Sequence, residues 1–182
     1  TQETALPYLE VLSKQKLDAF DELETNLNKE YNIIERQTVE AATQILDLIK
    51  ARGIQATDFT RGSLPKHFAS LAAKKFNVKF DAVWQKNIEK TSLYPKKTPE
   101  EICQKIDDLR PDLVATFEST KKAVYRLRYL QNIKKNLTPL SVLTLVQNEI
   151  DNIKESQNLL LISEFNTIIG QEIKKQPTPF IY

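Results

Sequence analysis

An all-α fold, an irregular helical bundle with at least two long helices, is what this sequence predicts. Apolar residues recur at helical three-, four- and seven-residue spacings rather than in the alternation of strands. Only 3 Gly occur in 182 residues, too few for a sheet protein turned by glycines. Ser, Thr, Asp and Pro stand where helices would begin.

The elements follow in order. From Leu6 a stripe recurs every seven residues through Ser13, Phe20, Leu27, Ile34, Ala41 and Leu48, widened by Leu9, Leu17, Leu23, Tyr31 and Ile45. It predicts one helix to about Arg52, or two with a break near Asn26–Asn28, with Gly53 as the stop. After a turn at Thr57–Gly62, Ser63 is expected to cap a helix whose second residue is Pro65, with Phe68, Leu71, Ala72 and Phe76 inward. Asp81–Trp84 opens a short helix to about Ser92, and Tyr94-Pro95-Lys96-Lys97 reads as a linker. Thr98-Pro99-Glu100-Glu101 is a capping box with Pro at the first helical position. Pro111 then predicts a new long helix to about Lys135, Thr138-Pro139 another, and Leu159–Lys175 the last. The chain is expected to be a single helical domain over 1–182, with room for an internal division near 53–63.

Composition excludes several classes. One cysteine, Cys103, forbids an internal disulfide framework and gives no support to a structural zinc site. No apolar run approaches the roughly 20 residues that span a bilayer, so no membrane partner is expected and the protein reads as soluble and cytoplasmic. Phosphate-loop and dinucleotide motifs are missing, because Gly53, Gly62 and Gly170 are far apart and cannot present clustered backbone N–H groups. No cofactor is therefore expected in this chain, and no enzymatic activity of its own. His67 and Cys103 are the sole histidine and thiol, and nothing in the sequence pairs them for nucleophilic catalysis. Cys103, between Ile102 and Ile106, reads as a core-edge residue.

A net charge of +2 conceals strong segregation. Residues 1–47 carry 4 basic and 10 acidic side chains, residues 48–97 carry 11 and 3, and residues 119–148 carry 6 and 0. Such segregation produces local fields that the overall charge does not reveal.

The strongest functional candidate is the run Lys121–Lys135. On a helix, Lys121, Tyr125 and Arg128 share one side, and Lys122, Arg126 and Tyr129 the adjacent row, while Val124, Leu127, Leu130 and Ile133 can face a core. With Lys134 and Lys135, these cations could hold phosphates while the tyrosines stack unpaired bases. The plainer reading is a solvated basic face paired with the acidic stretch Glu100–Asp112. Arg61, Lys66, Lys74 and Lys75 form a second basic group, spread around short helices rather than along one face. No helix-turn-helix or zinc-finger pattern suggests sequence-specific reading.

The C-terminal block Leu159-Leu160-Leu161-Ile162-Ser163-Glu164-Phe165-Asn166-Thr167-Ile168-Ile169, continuing to Pro177-Thr178-Pro179-Phe180-Ile181-Tyr182, resembles a segment of superfamily 1 DNA helicases. In the UvrD/Rep and exodeoxyribonuclease V beta-subunit type, a similar helix and Pro-containing connector lie just upstream of the Walker B strand. Ser163 stands where many relatives have Asp. The resemblance implies a helical insertion (1B-type subdomain) of the first motor domain, a fragment of a larger ATP-dependent helicase or helicase–nuclease in DNA repair or recombination. Its partners would be single-stranded or forked DNA and the remaining motor domains, with ATP and Mg bound by those domains alone. A helical protein–protein interaction scaffold is the alternative, with the stripe from Leu6 to Leu48 as its seam.

Overall fold

A computed structural model describes residues 17–175, and every regular element among them is helical. In order these are α1 (Leu17–Ala51), two 3-10 turns (Ala56–Asp58 and Thr60–Gly62), α2 (Ser63–Ala72), α3 (Val83–Lys86), α4 (Glu100–Gln157) and α5 (Ile162–Lys175). By internal packing the chain divides into two compact units. One is Asp21–Asn136; the other comprises, among the described residues, 17–20 and 137–175. Residues 53–63 lie inside the first unit, where Ile54, Phe59 and Leu64 are core residues.

The unit Asp21–Asn136 is built around one hydrophobic core. Ala42, Ile45 and Ile49 of α1 pack with Leu64, Phe68 and Leu71 of α2 and with Ile106, Leu109, Leu113, Phe117 and Val124 of α4. Phe59, Phe80, Ile88 and Leu93 fill it from the intervening segments. α1 is unbroken across Asn26–Asn28. Its seven-residue stripe is buried only at first: Phe20 and Leu27 are covered, yet Leu48 is exposed. A straight helix drifts about 20° per heptad, so the buried face moves on to Thr38, Ala42, Ile45 and Ile49. Leu6, Leu9 and Ser13 lie outside the described residues.

Gly53 ends α1 as the sequence suggests. With φ +71° it lets its own N–H reach the Lys50 carbonyl (2.9 Å) and that of Ile54 reach Ile49 (3.1 Å), a Schellman closure. Lys74 and Asn158, also left-handed, close α2 and α4 by the same pair of bonds.

Several boundaries differ from expectation; the last helix, for one, begins at Ile162 rather than Leu159. Ser63 is the first residue of α2 rather than its cap, which falls on Gly62. The short helix opening near Asp81 is only Val83–Lys86 and does not continue to Ser92. The largest change is that Pro111 and Thr138-Pro139 do not start new helices, since α4 runs through both. Interior proline costs roughly 3 kcal/mol in a helix. Ile106, Leu109, Leu113 and Phe117 are all completely buried around Pro111, and their combined burial exceeds that cost.

The largely irregular stretch between α2 and α4 needs partners for its backbone carbonyls. Arg128 donates from Nε (3.2 Å) and a terminal nitrogen (2.8 Å) to Phe76 O, and also to Val78 O. Gln85 donates to Lys79 O at 2.8 Å while its carbonyl accepts the Ala82 N–H. Arg110 holds Thr91 O at 3.0 Å, and Tyr94 donates to Asp107 at 2.8 Å. The Arg110 guanidinium beside Asp107 holds that carboxyl below its usual range.

Candidate functional site

The run Lys121–Lys135 lies wholly on α4, within the unit Asp21–Asn136. Val124, Leu127 and Leu130 are at most 1% exposed and Ile133 is half-buried, so the apolar row faces the protein. Tyr125 and Tyr129 are 51% and 55% exposed on the outer face, beside exposed Lys122, Arg126 and Lys135. The helical spacing of the sequence thus places Lys122, Tyr125, Arg126 and Tyr129 on one solvent-facing surface, with Lys135 exposed on another side of the helix.

Several of them already have partners. Arg126 Nε lies 2.7 Å from Glu30 Oε1 of α1, which raises the guanidinium pKa, and its charge sits 5.3 Å from the centre of the Tyr129 ring. Lys121 is half-buried, 3.5 Å from Glu118 and 5.9 Å from the Phe117 ring centre. Lys134 lies 5.6 Å from the centre of the Tyr31 ring. Lys122 and Lys135 have no ion-pair partner among the described residues. These pairings do not involve Glu100–Asp112, which is part of the same helix; the acidic partner across the fold is Glu30 on α1.

Arg128 has a different use. It clasps the Phe76 and Val78 carbonyls and stacks between Phe80 and Tyr125, 5.9 Å from each ring centre. Its Nε and one terminal nitrogen are spent on the fold, and the residue also borders a surface cleft. The second basic group is scattered. Arg61 is a left-handed residue whose carbonyl accepts from Lys66, and Lys75 is exposed beyond the end of α2. Lys74 alone turns toward α1, where it pairs with Glu35 at 2.6 Å, and this contact raises its pKa.

The cleft is open, about 420 Å³, and is bordered by Tyr31 and Glu35 of α1, Lys74, Phe76 and Asn77 after α2, and Arg128, Gln131 and Asn132 of α4. Burial and the nearby Glu35 charge raise the Tyr31 pKa, and Gln131 donates to its hydroxyl at 3.1 Å. Sequence reading singled out Lys74 and Arg128 here but not Gln131, Asn132 or Asn77. Tyr31 and Gln131 are 100 positions apart, so no local pattern announces their meeting.

His67 is buried in the core, edge-on to Phe68, Phe80 and Trp84 and tilted against Phe117. Its Nε2 has no hydrogen-bond partner. Burial lowers its pKa to about 4, so it is neutral at physiological pH. Cys103 is half-buried at the core edge, its thiol 3.5 Å from the Thr98 carbonyl. Among the described residues no cluster of three His, Cys, Asp or Glu could hold a metal, and no helix is long and apolar enough to cross a membrane.

The other unit differs in surface chemistry. Thirteen large apolar side chains between Val142 and Ile173 are more than two-fifths exposed, including Ile162 (83%) and Ile173 (58%). Phe165, Ile169 and Ile173 fall on one face of α5 at spacings of four. Lys154 bridges α4 and α5 by pairing with Asp151 at 3.2 Å and with Glu164. The part of the helicase-like block from Pro177 to Tyr182 lies outside the described residues. Comparison with protein-family models, curated proteins and solved structures found no match to the chain.

Proposed function

We propose that this chain is a DNA-contacting accessory subdomain of an ATP-dependent DNA helicase or helicase–nuclease acting in repair or recombination. The observation that carries the reading is the outer face of α4. Exposed Lys122, Tyr125, Arg126 and Tyr129 stand along a helix whose opposite side is locked into the core, and Lys135 is exposed farther along it. Cations on a rigid helix supply salt-sensitive, sequence-independent phosphate contacts, and exposed tyrosines supply stacking faces for unpaired bases. Single-stranded or forked DNA is the expected partner. ATP and Mg belong to the motor domains of the parent protein, as the resemblance at Leu159–Ile169 implies.

Fluorescence anisotropy with labelled single-stranded, duplex and forked DNA at about 50 and 200 mM salt tests this. Binding that weakens with salt and favours the strands with unpaired bases supports the reading. No binding to any of the three at the lower salt overturns it.

A second reading, the protein–protein interaction scaffold, is favoured by the apolar surface at Val142–Ile173. Its thirteen exposed large apolar side chains exceed the single scattered hydrophobics of an ordinary monomer surface. Concentration-dependent self-association in sedimentation velocity, abolished by charge at Phe165 and Ile169, would mark that surface as the working one.

A further inference from the structure

We propose that the cleft beside α4 accepts one unpaired base from a nucleic-acid strand lying along the helix face, a role that rests on the function proposed above. The placement is the first argument. Arg128, Gln131, Asn132 and Lys135 follow one another at i, i+3, i+4 and i+7 on α4, so the cleft wall and the exposed cation Lys135 belong to one row. A strand held by Lys135 reaches the cleft mouth along that row; Lys122 lies about 140° farther round the helix, so a strand touching both crosses the helix surface past the cleft.

Chemistry selects the occupant. Asn77 and Asn132 are exposed, and their side-chain amides make no hydrogen bond among the described residues. Gln131 uses its N–H on the Tyr31 hydroxyl, which leaves its carbonyl oxygen to accept. Three amides at one mouth thus offer donors and acceptors together, and a base edge presents the same mixture. Tyr31 and Phe76 also border this space, and an aromatic ring there can cover a base face. A volume of about 420 Å³ lies within the range of roughly 300–1,000 Å³ that holds small organic groups.

Charge sets the orientation. Lys74, Arg128 and Lys134 border or flank the cleft against the single acid Glu35, so the rim favours a phosphate. Lys74 holds its position with φ +59°, a conformation that strains a side-chain-bearing residue and that glycine would adopt freely. The residue found there nonetheless brings an amine to the cleft. An acidic peptide would use the cations and the amides, but its backbone offers no flat face to an aromatic ring, so an unpaired nucleotide is the better fit.

The test compares two strands of equal charge, oligo(dT) and an abasic oligomer of the same length. The intact protein should prefer oligo(dT) by ~10-fold, the worth of one base contact. Changing Gln131→Ala together with Asn132→Ala should remove most of that preference, down to what stacking on the exposed Tyr125 and Tyr129 leaves, with the salt slope on either strand unaltered. Asn77→Ala, on another segment, should reduce the preference part of the way. These side chains are exposed, and unchanged circular dichroism will show that the fold persists. A preference untouched by the substitutions overturns the base cleft while leaving the DNA-contacting reading intact. Salt-dependent binding with equal affinity for both strands overturns the cleft and the stacking role of Tyr125 and Tyr129, leaving only the phosphate contacts. Absence of binding to either strand overturns both.

Discussion

The helix α4 contains two stretches of similar apolar content and opposite fate. Between Ile106 and Leu130, Ile106, Leu109, Leu113, Phe117, Val124, Leu127 and Leu130 are almost completely removed from water. Between Val142 and Ile153, Val142, Leu143, Leu145, Val146 and Ile153 are 42–52% exposed. The difference lies in which side of the helix the fold covers. The first stretch places its apolar residues at intervals of three, four and seven, a single stripe that one neighbouring surface can cover. In the second, Leu137 and Thr144 are covered, while Val142, Leu145, Val146 and Ile153, which also fall at helical spacings, lie on the side left open. Apolar content alone does not make a core.

The largest effect that would break this contrast is a cavity. Phe117→Ala should cost ~3–5 kcal/mol in urea unfolding, because the ring contributes to the core and to the cage around His67. A cost below about 1 kcal/mol would mean that the Asp21–Asn136 core is not close-packed.

Acid tests the same core from within. The neutral His67 has a folded-state pKa of about 4 against an ordinary 6.5, so the unfolded chain binds its proton first. Its contribution to stability is therefore complete above pH 6.5 and is lost as pH falls toward 4, up to about 3 kcal/mol at ~1.4 kcal/mol per pKa unit. Paired carboxylates such as Asp107, whose pKa values are lowered, also lose stability on acidification. The His67 share is the part of the pH 4–6.5 slope that disappears in His67→Phe. An identical slope in both proteins would refute it.

Arg128→Ala should cost ~1–3 kcal/mol by leaving the Phe76 and Val78 carbonyls without their donor. This loss should appear in chemical denaturation before any DNA is added, which separates the clasp from a phosphate contact. At the small end, Val146→Ala should change stability by less than about 0.5 kcal/mol, in direct contrast with Phe117→Ala. On α5, Phe165→Glu with Ile169→Glu should lower binding of an environment-sensitive dye without lowering the unfolding midpoint. A lowered midpoint would show those side chains to be packed rather than exposed.

Much of the fold was legible because the helical period is a local property. The all-α class, the stop at Gly53 and the buried row Val124, Leu127 and Leu130 follow from spacing and from backbone chemistry at single residues. Pro111 and Pro139 misled because proline's local cost is readable in sequence, whereas burial on both sides of Pro111 is a tertiary fact. The stripe ending at Leu48 misled because a strict seven-residue repeat departs from a straight helix as it lengthens. At the candidate site the outer face of α4 was legible and its pairing was not. Arg126 meets Glu30 across 96 positions and Arg128 meets Phe76 across 52, distances over which local pattern carries no information.

The most direct test of the nucleic-acid face is the salt dependence of single-strand binding with Lys122→Glu and Lys135→Glu combined. Both residues are exposed and without ion-pair partners among the described residues, so their substitution should leave the fold intact. If each cation neutralises one phosphate, affinity falls and the slope of log K against log salt becomes shallower by about 1.4, near 0.7 for each phosphate no longer neutralised. Unchanged affinity and slope in a folded variant would contradict a DNA-gripping role for this face.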